Sequence, residues 1–133
     1  MNIELRKLSE EQFDEKYYER VGIYADDTYE IELTNLTGDK IVGIVMVSNI
    51  NSHNGDKHTF IDWVEIKSEF QGKSLFSQVI EVLFTLYNTD EIHVECVDDK
   101  IPMYLHMGAI SSGISEFTEN NMLVIKKDNF IKR

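Results

Sequence analysis

The chain has 133 residues, 42% hydrophobic and 28% charged, and its 24 acidic against 13 basic side chains leave a net charge of -11. That balance argues against nucleic-acid binding, which needs clustered Lys and Arg to neutralise phosphates, and against anionic membrane surfaces. No stretch approaches the ~18 apolar residues of a membrane span. A single cysteine, Cys96, excludes an internal disulfide. The first residues, MNIELRKLSEEQF, lack the apolar core of a signal peptide. The expectation is therefore one cytoplasmic domain over residues 1–133.

Residues 2–8 alternate as a first strand, with Ile3 and Leu5 on one side. Ser9 with Gln12 three positions on is a capping-box pattern, which predicts a helix through FDEKYYERV. Asp26-Asp27 marks a turn before the alternating YEIELTNL of 29–36, and Gly38-Asp39 marks another before the apolar run of 40–50. Asn54-Gly55 is the strongest hairpin signal and joins that run to a strand at 58–66. Three strands thus form an antiparallel meander.

Residues 74–87 predict a helix. Leu75, Val79, Leu83 and Leu86 lie on one stripe, with Phe76, Ile80, Phe84 and Tyr87 beside it, so the helix packs hard against the sheet. The strand at 91–97 follows this crossover and lies parallel to 58–66. A short helix has Pro102 near its start, where a missing N–H costs little, and Gly108 at its end. Strands near 110–117 and 121–127 flank a Glu119-Asn120-Asn121 turn. The order predicts an α+β domain with a mixed, largely antiparallel sheet of six to seven strands and helices on both faces.

The stretch SEFQGKSLF places Gly72-Lys73-Ser74 between a strand and a helix, as in a P-loop. A P-loop also needs a glycine five positions before Gly72 to wrap the phosphates. That position is Lys67, which excludes it. Instead the segment Gln71-Gly72-Lys73-Ser74-Leu75-Phe76 resembles the acyl-CoA-binding motif of the GNAT N-acetyltransferases, Arg/Gln-x-x-Gly-x-Gly/Ala. Its first position matches; Ser74 and Phe76 stand at the two small positions. A second segment, YLHMGA, resembles the family's Tyr-x-x-x-Gly-Phe and begins at Tyr104, 33 residues beyond Gln71. The resemblance spans roughly residues 29–127. Val97, with Asp98 beside it, stands where the family tends to carry an Asn.

The resemblance implies a sheet splayed between its fourth and fifth strands and acetyl-CoA as cosubstrate. Backbone N–H groups around Gly72, Lys73, Ser74, Leu75 and Phe76 would receive the CoA pyrophosphate, since a helix N-terminus carries partial positive charge. Lys67 and Lys73 would offset the acidic protein locally. The ring of Phe76 leaves room for CoA only if it turns into the core. The pantetheine arm would pair with backbone near Val64 and Ile66, and Tyr104 would protonate the departing thiolate. Strand parity puts Asp62 on the same face as Val64 and Ile66, which makes it the candidate base; Glu95 is its rival.

Other chemistry is weaker. Cys96 reads as a small buried hydrophobe, and His93, three positions away on a strand, faces the opposite way. His53, His58 and Asp56 straddle the Asn-Gly turn without a supporting ligand set, so no metal is expected. The expected function is transfer of an acetyl group from acetyl-CoA to a primary amine by direct attack. That amine would be a small molecule or a peptide, and acidity favours a cationic one. The alternative is a catalytically inactive GNAT-fold binding or regulatory module. The sequence leaves acceptor identity and oligomeric state open.

Overall fold

The structure, a computed structural model, describes residues 2–34, 37, 40–51, 57–72, 74–96, 98–115 and 118–131. Seven strands form one sheet: β1 (Ile3–Lys7), β2 (Asp27–Leu33), β3 (Ile41–Asn51), β4 (Lys57–Ile66), β5 (Glu91–Cys96), β6 (Ile110–Ile114) and β7 (Asn121–Lys126). Their spatial order is β1-β2-β3-β4-β5-β7-β6. Among the described residues β4 and β5 alone run parallel, and every other neighbouring pair is antiparallel. The mixed sheet and its meander agree with the sequence expectation. The Gly38-Asp39 and Asn54-Gly55 turns lie outside the described residues, but β3 and β4 pair out to Asn51 and Lys57.

The first helical segment begins as foreseen. Ser9 Oγ accepts from Gln12 N at 3.2 Å and Gln12 Oε1 accepts from Ser9 N at 2.9 Å, which satisfies two orphan groups reciprocally. The segment comprises α1 (Glu10–Phe13), a π-helical turn (Asp14–Tyr18) and α2 (Glu19–Val21), and ends at Gly22 in the left-handed region. The wide turn keeps Phe13, Tyr17 and Val21 on one buried side. There they join Leu8, Ile44 and Met46 in a small core on one face of the sheet.

The larger core lies on the other face under α3 (Leu75–Tyr87) and α4 (Ile101–His106). Leu75, Val79, Ile80 and Leu83 of α3 are essentially inaccessible, and each contributes roughly 1.5 to 3 kcal/mol by burial. They meet Tyr29, Ile31, Val45, Val47, Ile92 and Val94 from the sheet. Leu86 departs from the expected stripe: it is 50% exposed, while Phe84 and Tyr87 of the same turn take the sheet-facing places, Tyr87 bonding Tyr29 and Asp27 of β2. Pro102 stands in the first turn of α4, and Gly108 follows that helix with φ +92°, where a Cβ would collide with the backbone of Asn129. The strand expected over 110–117 is described only to Ile114 and is exposed along its length, as suits the sheet edge.

Candidate functional site

The parallel seam sets the site. β4 and β5 pair only from His58–Glu91 to Ile61–Val94. Beyond Ile61, β4 runs five residues further along β3 while β5 runs two further along β7, and the two are no longer bonded to one another. This is the splay that the resemblance implied. A cleft of about 220 Å³ opens at the fork, lined by Phe60, Ile61, Asp62, Val94, Glu95, Asn120 and Met122. Backbone groups of β4 that point away from β3 are freed there for a ligand.

Both candidate bases reach this cleft. β4 carries a bulge: Met46 pairs with Trp63 and Val47 with Ile61, so Asp62 is skipped in the backbone register with β3. The bulge corrects the sequence parity. Ile61 and Val64, three apart, both pack on the α3 side, whereas Asp62 turns to the other face and accepts a hydrogen bond from Ser48 Oγ. Val64 and Ile66 are half-buried against the α3-side core. Partial burial holds the Asp62 carboxyl above its ordinary value; Ser48 opposes this, and the negative charge of Asp26 adds to it. Glu95 also faces away from the α3-side core, with its carboxylate bonded by the hydroxyl of Thr118. Asp26 itself accepts from the backbone N of Asn49 at 2.9 Å.

At the far end of the fork the chain turns into α3. Gly72 has φ +75° with open space where a side chain would stand, and Ser74 has φ +62°. Ser74 does not cap the helix through its hydroxyl. The first-turn amides of this thirteen-residue helix are thus not taken up by that side chain, and the helix start carries partial positive charge. Gln71 Nε2 donates to the backbone O of Ile66 at 2.9 Å and ties this turn to the end of β4. Leu75 is buried as a whole residue, side chain and backbone together. Lys73 and Val97 lie outside the described residues.

Phe76 is partly buried. Its ring packs against the α3-side core, edge-on to Tyr104 with centroids 5.4 Å apart and planes at 88°. Tyr104 is buried on that same side. Burial, with Cys96 adding, pushes its phenol well above the ordinary value, so it stays protonated. Cys96 lies in the α3-side core while His93 stands on the opposite face, and the two share no site.

Sequence reasoning missed a second charged cluster. Glu30 of β2 is completely inaccessible, yet its carboxylate receives Lys16 Nζ at 2.6 Å, the hydroxyl of Tyr17 and the guanidinium of Arg6. The alternation of YEIELTNL marks Glu30 as the outward residue; its burial depends on the first helix docking over that face. Arg20 of α2 similarly binds Glu65 of β4, which also accepts from Trp63 Nε1 at 2.9 Å.

No family model matches the chain, and no curated protein does. Among solved structures the likeness is extensive. The crystal structure of the NatC complex bound to Gag peptide and CoA matches with TM-score 0.66 at 17% identity, over 95% of this chain and 99% of that one. A spermidine N-acetyltransferase SpeG chimera from Vibrio cholerae and hSSAT matches with TM-score 0.65 at 16% identity over the whole of both chains. The Bacillus subtilis N-acetyltransferase YlbP, in complex with coenzyme A, matches with TM-score 0.61 at 13% identity over 78% of this chain and 70% of that one. With the strand order, the single parallel seam and its splay, these likenesses show that the chain has the GNAT N-acetyltransferase fold.

Proposed function

We propose that the protein transfers the acetyl group of acetyl-CoA to a primary amine. The observation that carries this reading is the fork between β4 and β5, with the uncapped start of α3 beyond one end and carboxylates in its cleft. The pyrophosphate would lie on the backbone of Gly72 and Ser74, and the pantetheine arm along Val64 and Ile66. Phe76, folded into the core, supports an unobstructed path. The amine would enter from the face of the first helix, where Asp26, Asp62 and Glu95 make an acidic mouth that favours a cationic acceptor. Two of the similar structures hold CoA, and one is a spermidine N-acetyltransferase, in keeping with that reading.

The chemistry divides between the two faces of the sheet. Asp62 takes a proton from the attacking ammonium group, directly or through water, and its raised pKa brings its basicity closer to that of the task. As the C–N bond forms and the C–S bond breaks, Tyr104 gives its proton to the thiolate from the α3 side, and the excess proton left on the nitrogen passes through water to the phenolate, so that amide, thiol and Tyr104 all end neutral. Freed N–H groups of β4 beyond Ile61 are suited to the developing oxyanion. No covalent enzyme intermediate is needed, since the amine is itself the nucleophile.

Calorimetric titration with acetyl-CoA tests the reading. Wild type is expected to bind saturably, and Gly72→Asp to bind about tenfold more weakly. A unit charge ~5 Å from the pyrophosphate, at an exposed site, costs roughly 1 to 2 kcal/mol. Gly72→Asn, which tolerates positive φ without adding charge, is the control and should bind nearly as wild type. Absence of saturation at millimolar ligand in wild type would leave the inactive binding module as the reading.

Tyr104→Phe separates binding from proton delivery. Its kcat should fall roughly tenfold with the acetyl-CoA dissociation constant unchanged, because a thiolate leaves more easily than stronger bases and needs only part of the usual assistance. Unchanged kcat would remove the role.

A further inference from the structure

The other half of the β4–β5 seam carries a cluster that acetyl transfer does not use. In this register His58 stands opposite Glu91, and Phe60 opposite His93. Because Thr59, Ile61, Ile92 and Val94 are buried, strand alternation puts His58, Phe60, Glu91 and His93 together on the opposite face. His58 Nδ1 and His93 Nε2 are 2.9 Å apart. One oxygen of Glu91 lies 3.9 Å from the first nitrogen, and the other lies 3.7 Å from the second. One donor atom from each of the three side chains falls within 4.8 Å of the others, and all three residues are half-buried.

These separations suit a shared ion. Imidazole nitrogens sit ~2.0 to 2.1 Å from a divalent metal, so two of them at an angle of ~90 to 110° are about 2.9 to 3.4 Å apart. A modest turn of the Glu91 side chain brings a carboxylate oxygen to the same point. A neutral imidazole pair can also share one hydrogen bond, but that bond leaves the carboxylate facing both rings unexplained. Phe60 stacks on His93 with centroids 4.7 Å apart and planes at 21°, which fixes the ring that would bind. Two nitrogens and one carboxylate select borderline transition metals over magnesium or calcium.

We infer that His58, Glu91 and His93 form a binding site for a divalent transition-metal ion of the zinc class. Three protein ligands leave a tetrahedral ion one position for water. The ion fastens β4 to β5 at the paired end, just before the fork opens, and stabilises the folded chain by binding it in preference to the unfolded one. The inference stands apart from acetyl transfer, so either can fail alone.

The test is titration of the full chain, free of any oligohistidine tag, with zinc chloride by calorimetry, paired with thermal unfolding. One-site saturation and a rise in Tm are expected with zinc and not with magnesium. Cobalt should give the intense visible bands of a four-coordinate site. His58→Gln, His93→Gln and Glu91→Gln should each weaken zinc binding about tenfold or more, since even an outer-shell partner of a metal ligand is worth that much. Circular dichroism identifies variants that retain the fold, and three independent variants keep the test decisive should one unfold. Unchanged zinc affinity in the folded variants, or no saturation at high micromolar zinc in wild type, would overturn the site.

Discussion

Asp62→Asn is expected to lower kcat/KM for amine acetylation about a hundredfold while leaving acetyl-CoA affinity within a factor of about two, the signature of a lost general base. The carboxylate lies on the first-helix face, away from the pyrophosphate turn, so cofactor binding has no reason to change. Asn preserves the bond from Ser48, and with it the local geometry. The pH profile provides a second readout. Activity in wild type should fall with acid through a pKa above the ordinary carboxylate range, because partial burial and Asp26 both favour the protonated form. The variant should lose that limb. Stability should move the other way. A carboxyl whose folded pKa is raised supports the fold fully below its unfolded pKa and loses that support as pH rises through the folded value. Asn escapes this penalty, so the variant should match or exceed wild type in Tm at pH 7 and differ least near pH 3. Full activity in Asp62→Asn would hand the role to Glu95, whose Gln variant would then carry the loss.

The second large effect concerns folding. Glu30→Gln is expected to destabilise the protein by about 2 kcal/mol at neutral pH, the usual worth of a charge-assisted hydrogen bond lost from a buried position. Lys16 and Arg6 can return to water, since both are about half-exposed, but Tyr17 keeps its hydroxyl at the same buried spot. Burial pushes the Glu30 carboxyl up, and its bonds from Lys16 and Tyr17 with the charges of Lys16 and Arg6 outweigh that, holding it below the ordinary value. Its contribution is therefore present above the unfolded pKa of about 4.3 and is lost as pH falls through the folded value. Urea denaturation at pH 7 and pH 3 measures this: the gap between wild type and variant should be wide at the first and narrow at the second. A gap that persists at pH 3 would mean that packing, not charge, is lost.

Local pattern carried much of the fold. The Ser9–Gln12 box, the alternating meander and the parallel strand after a helical crossover all rest on residues near one another in sequence. What escaped depends on distant partners. Leu86 is exposed because Phe84 and Tyr87 take the sheet-facing places of the last turn, and Glu30 is buried because a helix from elsewhere covers it. The site proposed from Gln71 to Phe76 and at Tyr104 rests on motifs that follow the chain. It was illegible where it crosses strands. His58 was weighed with His53 and Asp56 of its own turn, whereas its neighbours are Glu91 and His93 through the parallel register. The left-handed Ser74 likewise has no sequence marker, as serine there replaces the glycine or asparagine that such a φ usually draws.

The bulge in β4 has a bearing on how this strand tolerates change. Every other residue of β4 has a partner on β3, so the ladder is complete without Asp62. Substitutions at its neighbours Ile61 and Trp63 are judged by two packed cores at once, while position 62 answers to neither. A chain shortened by that one residue would keep each remaining β3–β4 pairing, and Ile61 and Val64, then two positions apart, would share a face by ordinary alternation. The strand thus holds one position whose identity is free to follow chemistry, with the cost of the extra residue absorbed by backbone twist and not by the packing on either side.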